Sequence, residues 1–507
     1  MLVSFSTLMS RILGVIRELL WSRYLGAGVY SDAFFTAYKI PNSLRKIFAE
    51  GALSAAFIPT IVQTVRLHGR EAVGKLMTMA FIIFEGTVLI AVGLIMYYAD
   101  TVICAIAGGF TPEQIAIATP WLRILMPFIF FISSSALLAG ALQAINHFFV
   151  AAFSPVLLNI VFIAGTLICL THKLPITYLC WFMLAGGALQ LLWHIVSYLQ
   201  LGFSFSSVNR ESFREFKSTL IKFILCLPAT GAEELCLFIS TSFASYLTSG
   251  SISLITYANR FAQLPQGVFG TAISTILLPH FSKVSAYAPK RLSFYLLEST
   301  KLIIWLMLPV TIFMSFFASD IFITVFLSNK FTLTQSYEAG LILQIYLTGL
   351  IFISLNKIMR ILFYSQHNTW IPTLISLISV ATNYCANTSL IHPFQAAGLA
   401  LSTLLSTIVQ TLLFIFFLKR TFKLSFHIGP FVQFLLRYTV QLCILLTPSY
   451  FLYRYLHDTI THLSTYYAHM LLNTALLWIW IAPLCILFAY TLLKTRRFFN
   501  ITLHFID

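Results

Sequence analysis

The chain has 507 residues, of which 59% are hydrophobic and only 9% are charged. Soluble domains carry roughly 25% charged residues, so this composition excludes a water-exposed globular protein and a disordered chain. A net charge of +15 suggests nucleic acid in a soluble protein, but no basic run here is interleaved with aromatic residues. In a membrane protein, basic loops on the cytoplasmic side account for such a charge.

Apolar segments long enough to cross a bilayer recur along the whole chain. A spanning helix needs about 20 apolar residues, and lipid offers the backbone no other hydrogen-bond partners. We therefore predict an all-α polytopic membrane protein with about 14 transmembrane helices. The predicted spans are 4–25, 31–62, 74–99, 114–143, 149–171, 177–200, 216–247, 252–280, 292–318, 337–364, 370–391, 394–418, 430–453 and 467–493.

Loop charge supports this topology with both termini in the cytoplasm. Sixteen basic residues then lie in cytoplasmic segments, whereas the opposite side receives only Lys173, Lys330 and Arg454. This asymmetry agrees with the positive-inside rule. Eight cysteines are scattered, mostly within apolar runs, without a metal-ligand spacing, so no firm metal site and no cofactor are predicted.

The first predicted helix places Arg11, Gly14 and Glu18 on one face, with Arg17 beside it. In the second predicted helix, Asp32, Lys39 and Lys46 recur every seven residues and share a stripe if the helix continues through Pro41, where a bend is expected. The same helix also carries Asn42, Arg45 and Glu50.

These two helices together contain six basic and three acidic residues. Each charge costs about 2.5–3.5 kcal/mol at the bilayer centre, so the charges should face protein or water. Some can pair with each other, as Arg11 with Glu18 or Lys46 with Glu50, and others, such as Arg23, can snorkel to the headgroups. The surplus of three bases indicates an anionic partner, and phosphate or pyrophosphate suits the arginine fork.

A faint internal repeat relates residues 24–59 to residues 246–279 at an offset of about 222. In both segments a Ser- and Gly-rich turn precedes a helix that contains proline. We predict two six-helix lobes, 1–210 and 211–425, followed by two extra C-terminal helices and a cytoplasmic tail, 426–507. Chance similarity of the two turns is the alternative. The repeat places Arg260, and Ser253 at its start, in the helix that matches the second one.

The charged segments carry motifs that resemble the MurJ (MviN) family of the MOP transporter superfamily. The resemblance extends to about residue 420. The matching segments are Ser10-Arg11-Ile12-Leu13-Gly14 with Arg17-Glu18, Gly26-Ala27-Gly28 with Ser31-Asp32-Ala33-Phe34-Phe35, Lys39-Ile40-Pro41-Asn42-Ser43-Leu44-Arg45-Lys46-Ile47-Phe48-Ala49-Glu50-Gly51-Ala52, and Tyr257-Ala258-Asn259-Arg260-Phe261 with Leu264-Pro265-Gln266-Gly267-Val268.

The resemblance implies a flippase that moves lipid II, an undecaprenyl-pyrophosphate-linked peptidoglycan precursor, from the inner to the outer leaflet of the bacterial cytoplasmic membrane. It also implies a polyprenyl-tail groove between helices 13 and 14. The implied substrate-binding residues are Arg11, Arg17, Asp32, Arg45 and Arg260, and we expect Glu18, Lys39, Asn42, Lys46, Glu50 and Ser253 to support them in the cavity. The chain departs from the family pattern at Asn259 and Gln263, where acids are common.

Some members of this family bind sodium between helices 7, 11 and 12. The matching positions here include Asn383, Asn387 and Thr403. Oxygen ligands suit a hard cation, but an asparagine at 387 removes a charge, and buried asparagine pairs more often join neighbouring helices. Glu233 or Glu234 in helix 7 is an alternative proton site. Membrane potential, H⁺ and Na⁺ thus all stay open as the coupling force.

The expected mechanism is alternating access, in which the arginines bind the pyrophosphate, and Asp32 and Glu18 pair with them when the site is empty. The expected partners are lipid II, membrane lipids and the cell-wall synthesis and division machinery, and no nucleic acid. A flippase for another polyprenyl-linked oligosaccharide is the alternative transporter. A membrane enzyme acting on polyprenyl lipids is disfavoured, because the loops are short and the acids are dispersed. A non-transporting scaffold would not need buried charges.

Overall fold

The computed structural model describes residues 2–47, 53–207, 210–270, 277, 281, 284, 291–366, 368–422, 427–463 and 476–504. Over these ranges the regular structure is helical, apart from a single β-bridge between Ser328 and Phe331. The chain divides into two compact units, Met1–Ser253 and Leu254–Asp507. The predicted division into lobes 1–210 and 211–425 and a C-terminal part 426–507 stays a prediction.

The first unit is built from ten helices and the start of an eleventh. A π-helical turn, Phe81–Glu85, joins α3 to α4. The helices are α1 (Leu2–Leu25), α2 (Val29–Arg45), α3 (Leu53–Ala80), α4 (Gly86–Tyr97), α5 (Ala99–Ile106), α6 (Pro112–Leu125), α7 (Phe128–Ala144), α8 (Phe148–Thr171), α9 (Ile176–Gln200), α10 (Arg210–Ala244) and α11 (Ser251–Pro265).

The second unit continues from α11 through a second π turn, Gln266–Gly270. Its further described helices are α12 (Leu292–Phe316), α13 (Ala318–Val325), α14 (Leu333–Ser365), α15 (Trp370–Phe422), α16 (Ile428–Leu463) and α17 (Leu477–Thr495). In this unit α14 packs on α15, and α12 packs on α14 and α16.

The described helices confirm the predicted fold class, an α-helical membrane protein. Nine helical segments among the described residues are long and apolar enough to cross a membrane. The charged helices α1 and α2 are not among the nine, so the predicted count of about 14 stays a prediction. Residues 63–73, predicted as a loop, are helical except at Gly69, whose φ of 78° interrupts α3.

Two short helices that we did not predict recur at the same place in each unit. Helix α5 precedes α6, and α13 precedes α14. Both following helices begin with the same cap: the Thr111 hydroxyl accepts a bond from Gln114 N, and the Thr332 hydroxyl accepts one from Gln335 N. Such a capping box satisfies backbone donors at a helix start. The two caps lie 221 positions apart, which agrees with the predicted repeat offset.

One helix break lies at a predicted boundary between two spans, and another lies inside a segment that was predicted as a single helix. Helix α15 contains a non-helical residue, Gln395, with φ 50°, two residues after Pro393. This break agrees with the predicted boundary between spans 370–391 and 394–418. The predicted single helix 114–143 is interrupted at Met126 and Pro127, between α6 and α7.

Aromatic packing holds α1 in the first unit. Trp21 is fully buried, and its ring centroid lies 5.6 Å from those of Phe34 and Tyr38 on α2 and 6.1 Å from that of Phe162 on α8. The Trp21 indole also donates to the Thr166 hydroxyl at 3.2 Å. A buried tryptophan is satisfied this way. Because Trp21 is one turn from Arg17, this packing also fixes where Arg17 lies.

Candidate functional site

Arg17 lies at the centre of a buried polar cluster between α1 and α8. Its guanidinium donates to Glu18 Oε1 at 2.5 Å and to Asn159 Oδ1 at 3.0 Å. The same group lies over the Trp21 ring, 4.8 Å from the centroid, and 5.8 Å from that of Phe162. Only 13% of the Arg17 side chain is exposed. Ion pairing and stacking on aromatic rings together hold a buried arginine in one orientation.

Asp32 binds the start of α11. Its Oδ2 accepts from Gly250 N at 2.6 Å, and its Oδ1 accepts from Ser253 N at 2.9 Å and from Ser253 Oγ at 2.6 Å. Ser31 Oγ lies 2.8 Å from the same serine hydroxyl. A carboxylate at a helix N-terminus is stabilised by free amides and the helix dipole. In this conformation Asp32 is held by backbone and serine donors at the start of α11, and its pairing with an arginine of the empty site stays a prediction.

Lys39 also turns toward a helix. Its ammonium donates to the Leu237 carbonyl oxygen at 2.7 Å and to the Thr241 hydroxyl, both on α10. The Thr241 hydroxyl itself donates to the same carbonyl at 2.9 Å. Lys39 therefore joins the middle of α2 to α10 by hydrogen bonds.

Lys46 forms an ion pair with Glu234, at 2.9 Å between Nζ and Oε1. The other carboxylate oxygen accepts from the Ser43 hydroxyl at 2.5 Å. The Glu234 side chain is 7% exposed and that of Lys46 is 27% exposed, so the carboxylate is buried and the ammonium remains partly accessible. In this conformation Glu234 is the counter-charge of Lys46, and its alternative role as a proton site stays a prediction.

Arg45 folds back onto its own helix. Its Nε and Nη2 lie 3.4 and 3.2 Å from Asn42 Oδ1, three residues earlier. Arg45 is half-buried, as is Arg11 on α1. Three of the predicted anion-binding arginines belong to the first unit: Arg11, Arg17 and Arg45. Glu50 lies outside the described residues, so its predicted role is unchanged.

Arg260 belongs to the second unit, where it is half-buried on α11. Its place in the substrate site stays a prediction. The two neighbouring positions that depart from the family pattern bind each other, because Gln263 Nε2 donates to Asn259 Oδ1 at 3.3 Å. The pair thus replaces the acids expected there with a neutral hydrogen bond along one face of the helix.

The predicted ion-site residues all lie on α15, on either side of its break. Asn387 Nδ2 donates to Asn383 Oδ1 at 3.1 Å, and both side chains are fully buried. Thr403 Oγ1 donates to the Leu399 carbonyl at 3.0 Å within its own helix segment. Among the described residues, Asn387 Oδ1 has no hydrogen-bond partner. This amide oxygen could serve as one ligand of a hard cation, which needs several oxygen ligands. Sodium binding here stays a prediction.

The family assignment comes from comparison with known proteins. The family model described as lipid II flippase MurJ matches residues 21–488. The chain belongs to the MurJ family. MurJ proteins are flippases, which are transporters and not enzymes. The membership confirms the resemblance and leaves the membrane-enzyme alternative without support.

Individual MurJ relatives match most of the chain. A probable lipid II flippase MurJ from Buchnera aphidicola subsp. Acyrthosiphon pisum is 33% identical over 428 residues, covering 81% of each chain. The lipid II flippase MurJ of Burkholderia cenocepacia is 32% identical, covering 82% of this chain and 83% of that protein.

Solved structures show the same fold. A lipid II flippase MurJ in an inward closed conformation superposes with a TM-score of 0.79 at 25% identity, covering 98% of this chain and 99% of that one. An inward-facing multidrug resistance MATE family transporter of the MOP superfamily superposes with a TM-score of 0.67 at 14% identity, covering 82% and 94%. The MATE likeness shows the fold alone.

Sequence reasoning found the charged residues but missed most of their partners. Asn159 was not predicted, although a single asparagine within the apolar helix Phe148–Thr171 is a usable signal. Trp21 was missed because a tryptophan in a span is more often core or interface. The backbone acceptor at Leu237 leaves no sequence signal.

Proposed function

We propose that this chain moves lipid II from the inner to the outer leaflet of the bacterial cytoplasmic membrane. Membership of the MurJ family supports this substrate. The observation that carries the site is the buried Arg17 cluster, in which one carboxylate, one amide and two aromatic rings hold a guanidinium in place. Such a preorganised fork suits a pyrophosphate.

In this proposal Arg17 exchanges Glu18 for the anionic headgroup. The carboxylate stabilises the buried guanidinium while the site is empty, because an unpaired buried charge is costly. Arg11 and Arg45, both half-buried, supply further positive charge, and Arg260 is a further proposed binder from the second unit. The polyprenyl tail stays in lipid, and alternating access carries the headgroup across.

The proposal also covers the topology, the coupling force and the partners of the chain. Both termini lie in the cytoplasm, as the loop charges support. Membrane potential resets the cationic site, since one charge crossing 100 mV changes the free energy by about 2.3 kcal/mol; H⁺ and Na⁺ are the other proposed coupling ions. Cell-wall synthesis and division proteins are proposed partners, because they consume the product on the outer side.

The test is complementation in cells depleted of their own MurJ, with the share of labelled lipid II in the outer leaflet as a second readout. Wild type should restore both growth and outer-leaflet lipid II. Arg17→Ala and Arg260→Ala should restore neither, whereas Arg66→Ala, which removes an exposed arginine on α3, should behave as wild type.

Two outcomes separate the substrate from the site. Full complementation by Arg17→Ala at normal protein level would remove the role proposed for the cluster. Failure of the wild-type chain to move lipid II, together with transfer of another polyprenyl-linked oligosaccharide, would overturn the substrate assignment.

A further inference from the structure

Glu85 is a buried acid in the first unit that the proposed transport site does not use. It is the last residue of the π turn Phe81–Glu85, within the membrane-spanning segment Val73–Tyr97. Its exposed fraction is 3%. Ionisable residues are rare inside spans, and π turns often occur at functional positions. The position therefore calls for a physical explanation.

The Ser133 hydroxyl contacts two acceptors, the Glu85 carboxyl group and a backbone carbonyl, but has a single hydrogen to donate if the acid is ionised. Ser133 Oγ on α7 lies 2.7 Å from Glu85 Oε2 and 3.3 Å from the Phe130 carbonyl oxygen. A serine hydroxyl has a single hydrogen, and a carboxylate and a carbonyl can only accept. An ionised Glu85 would take the serine hydrogen at 2.7 Å and leave the longer contact between Ser133 Oγ and the Phe130 carbonyl without a hydrogen of its own.

The second carboxyl oxygen points to the same conclusion. Glu85 Oε1 is buried and has no partner in hydrogen-bond geometry among the described residues. The Ser134 hydroxyl on α7, which also has no partner in that geometry, lies near enough to interact with the carboxyl group but brings no positive charge. An ionised carboxylate normally engages several donors when it is buried, and leaving one of its oxygens unpaired is strongly unfavourable. The carbonyl oxygen of a neutral carboxylic acid carries much less charge, so its lack of a donor costs less.

Where side chains are described, the elements packed on this turn offer no cation to Glu85. The turn packs on α3, α4 and α7, and Phe84 packs on α10. Helix α7 has no titratable residue. On α3 and α10 the described charged side chains are exposed or paired elsewhere: Arg66, Lys75 and Lys217 are exposed, and Glu234 pairs with Lys46. The exposed Tyr97 on α4 and the half-buried Cys236 on α10 are not cations. Nearby, the buried His194 on α9 contacts the Gln190 carbonyl through Nδ1 at 2.9 Å.

We infer that Glu85 is a proton-binding site. In the protonated state its Oε2–H donates to Ser133 Oγ, and the serine hydrogen donates to the Phe130 carbonyl. Both oxygen pairs then hold one hydrogen each. Loss of the proton leaves a negative charge on the carboxyl group and makes Ser133 turn its hydrogen from the backbone to Glu85. Proton binding is thereby linked to the contact between the π turn and α7.

Infrared spectroscopy of the purified full-length chain tests the protonation state directly and without a transport assay. The difference between wild type and Glu85→Gln at neutral pH should show loss of the C=O stretch of a protonated carboxyl group. The matched control is Glu298→Gln, because Glu298 is similarly buried, at 5% exposure, but lies 2.7 Å from Lys301 Nζ. The control should lose only carboxylate bands.

Carboxylate bands in the Glu85→Gln difference, without the protonated band, would overturn the inference. Ser133→Ala keeps the acid and removes its acceptor, so the protonated C=O band should persist and shift in frequency. If Glu85→Gln fails to fold, this variant decides the matter. A wild-type minus Ser133→Ala difference with no signal in the C=O region of protonated carboxyl groups would then refute the hydrogen-bond arrangement, because it would show that the band is absent or does not shift.

Discussion

Replacing Asp32 with asparagine tests the contact between α2 and the start of α11. The carboxylate accepts three hydrogen bonds at 2.6–2.9 Å and is 3% exposed. Hydrogen bonds to charged groups contribute about 1.5–3 kcal/mol each, against about 1 kcal/mol for neutral ones. Asparagine keeps one acceptor, turns an N–H toward a backbone donor such as Gly250 N, and loses the attraction of the helix N-terminus. We therefore expect Asp32→Asn to lower the free energy of unfolding by about 2–4 kcal/mol.

The assay is the free energy of unfolding in lipid by denaturant titration, with Asp100→Asn as the control. Asp100 lies 3.2 Å from Arg123, but the two side chains are 62% and 47% exposed, so its loss should cost less than about 1 kcal/mol. A cycle with Ser253→Ala should give a coupling of about 1–2 kcal/mol. Equal effects of Asp32→Asn and Asp100→Asn would refute the reasoning.

Two further predictions concern the other α2 contacts and the break in α15. Lys46→Met should lower the free energy of unfolding by about 2–4 kcal/mol, because it leaves Glu234 buried without its cation. Adding Glu234→Gln should recover most of that loss. If the effects of the two substitutions simply add, the two side chains are not coupled as an ion pair. Gly398→Ala should lower the thermal midpoint strongly, because the new Cβ would lie 2.8 Å from the Leu390 carbonyl carbon. Gly93→Ala on α4, with nothing within 4 Å, should be neutral or stabilising; equal midpoints for both variants would show that the α15 break yields to a methyl group.

The composition predicts the fold class, and the periodic charges predict which charged residues of α2 share one face. Lipid permits few architectures, so 59% hydrophobic residues already restrict the answer to helices. The seven-residue spacing of Asp32, Lys39 and Lys46 correctly predicts a shared stripe, because all three contact the segment from Glu234 to Ser253.

The partners of these charges could not be predicted, because they depend on which helices are neighbours. The count of six bases against three acids in the first two helices omits Glu234, which lies nearly 200 residues away in sequence and pairs with Lys46. The short helices α5 and α13 were missed because helices of eight residues show too few turns for a clear period.

The contacts of the α2 stripe limit how this unit can move during transport. The stripe places a carboxylate, an ammonium hydrogen-bonded to a carbonyl, and an ion pair against α10 and the start of α11. At about 1–3 kcal/mol each, separating α2 from this segment would cost several kcal/mol. Moving a two-state equilibrium from 1:99 to 99:1 needs about 5.5 kcal/mol, while one charge crossing 100 mV supplies about 2.3 kcal/mol. One charge crossing the membrane potential supplies less than this cost, so the proposed resetting by the potential is compatible with these contacts only if the stripe stays closed or substrate binding contributes. Either α2 and α10 move together, or substrate binding must supply the difference.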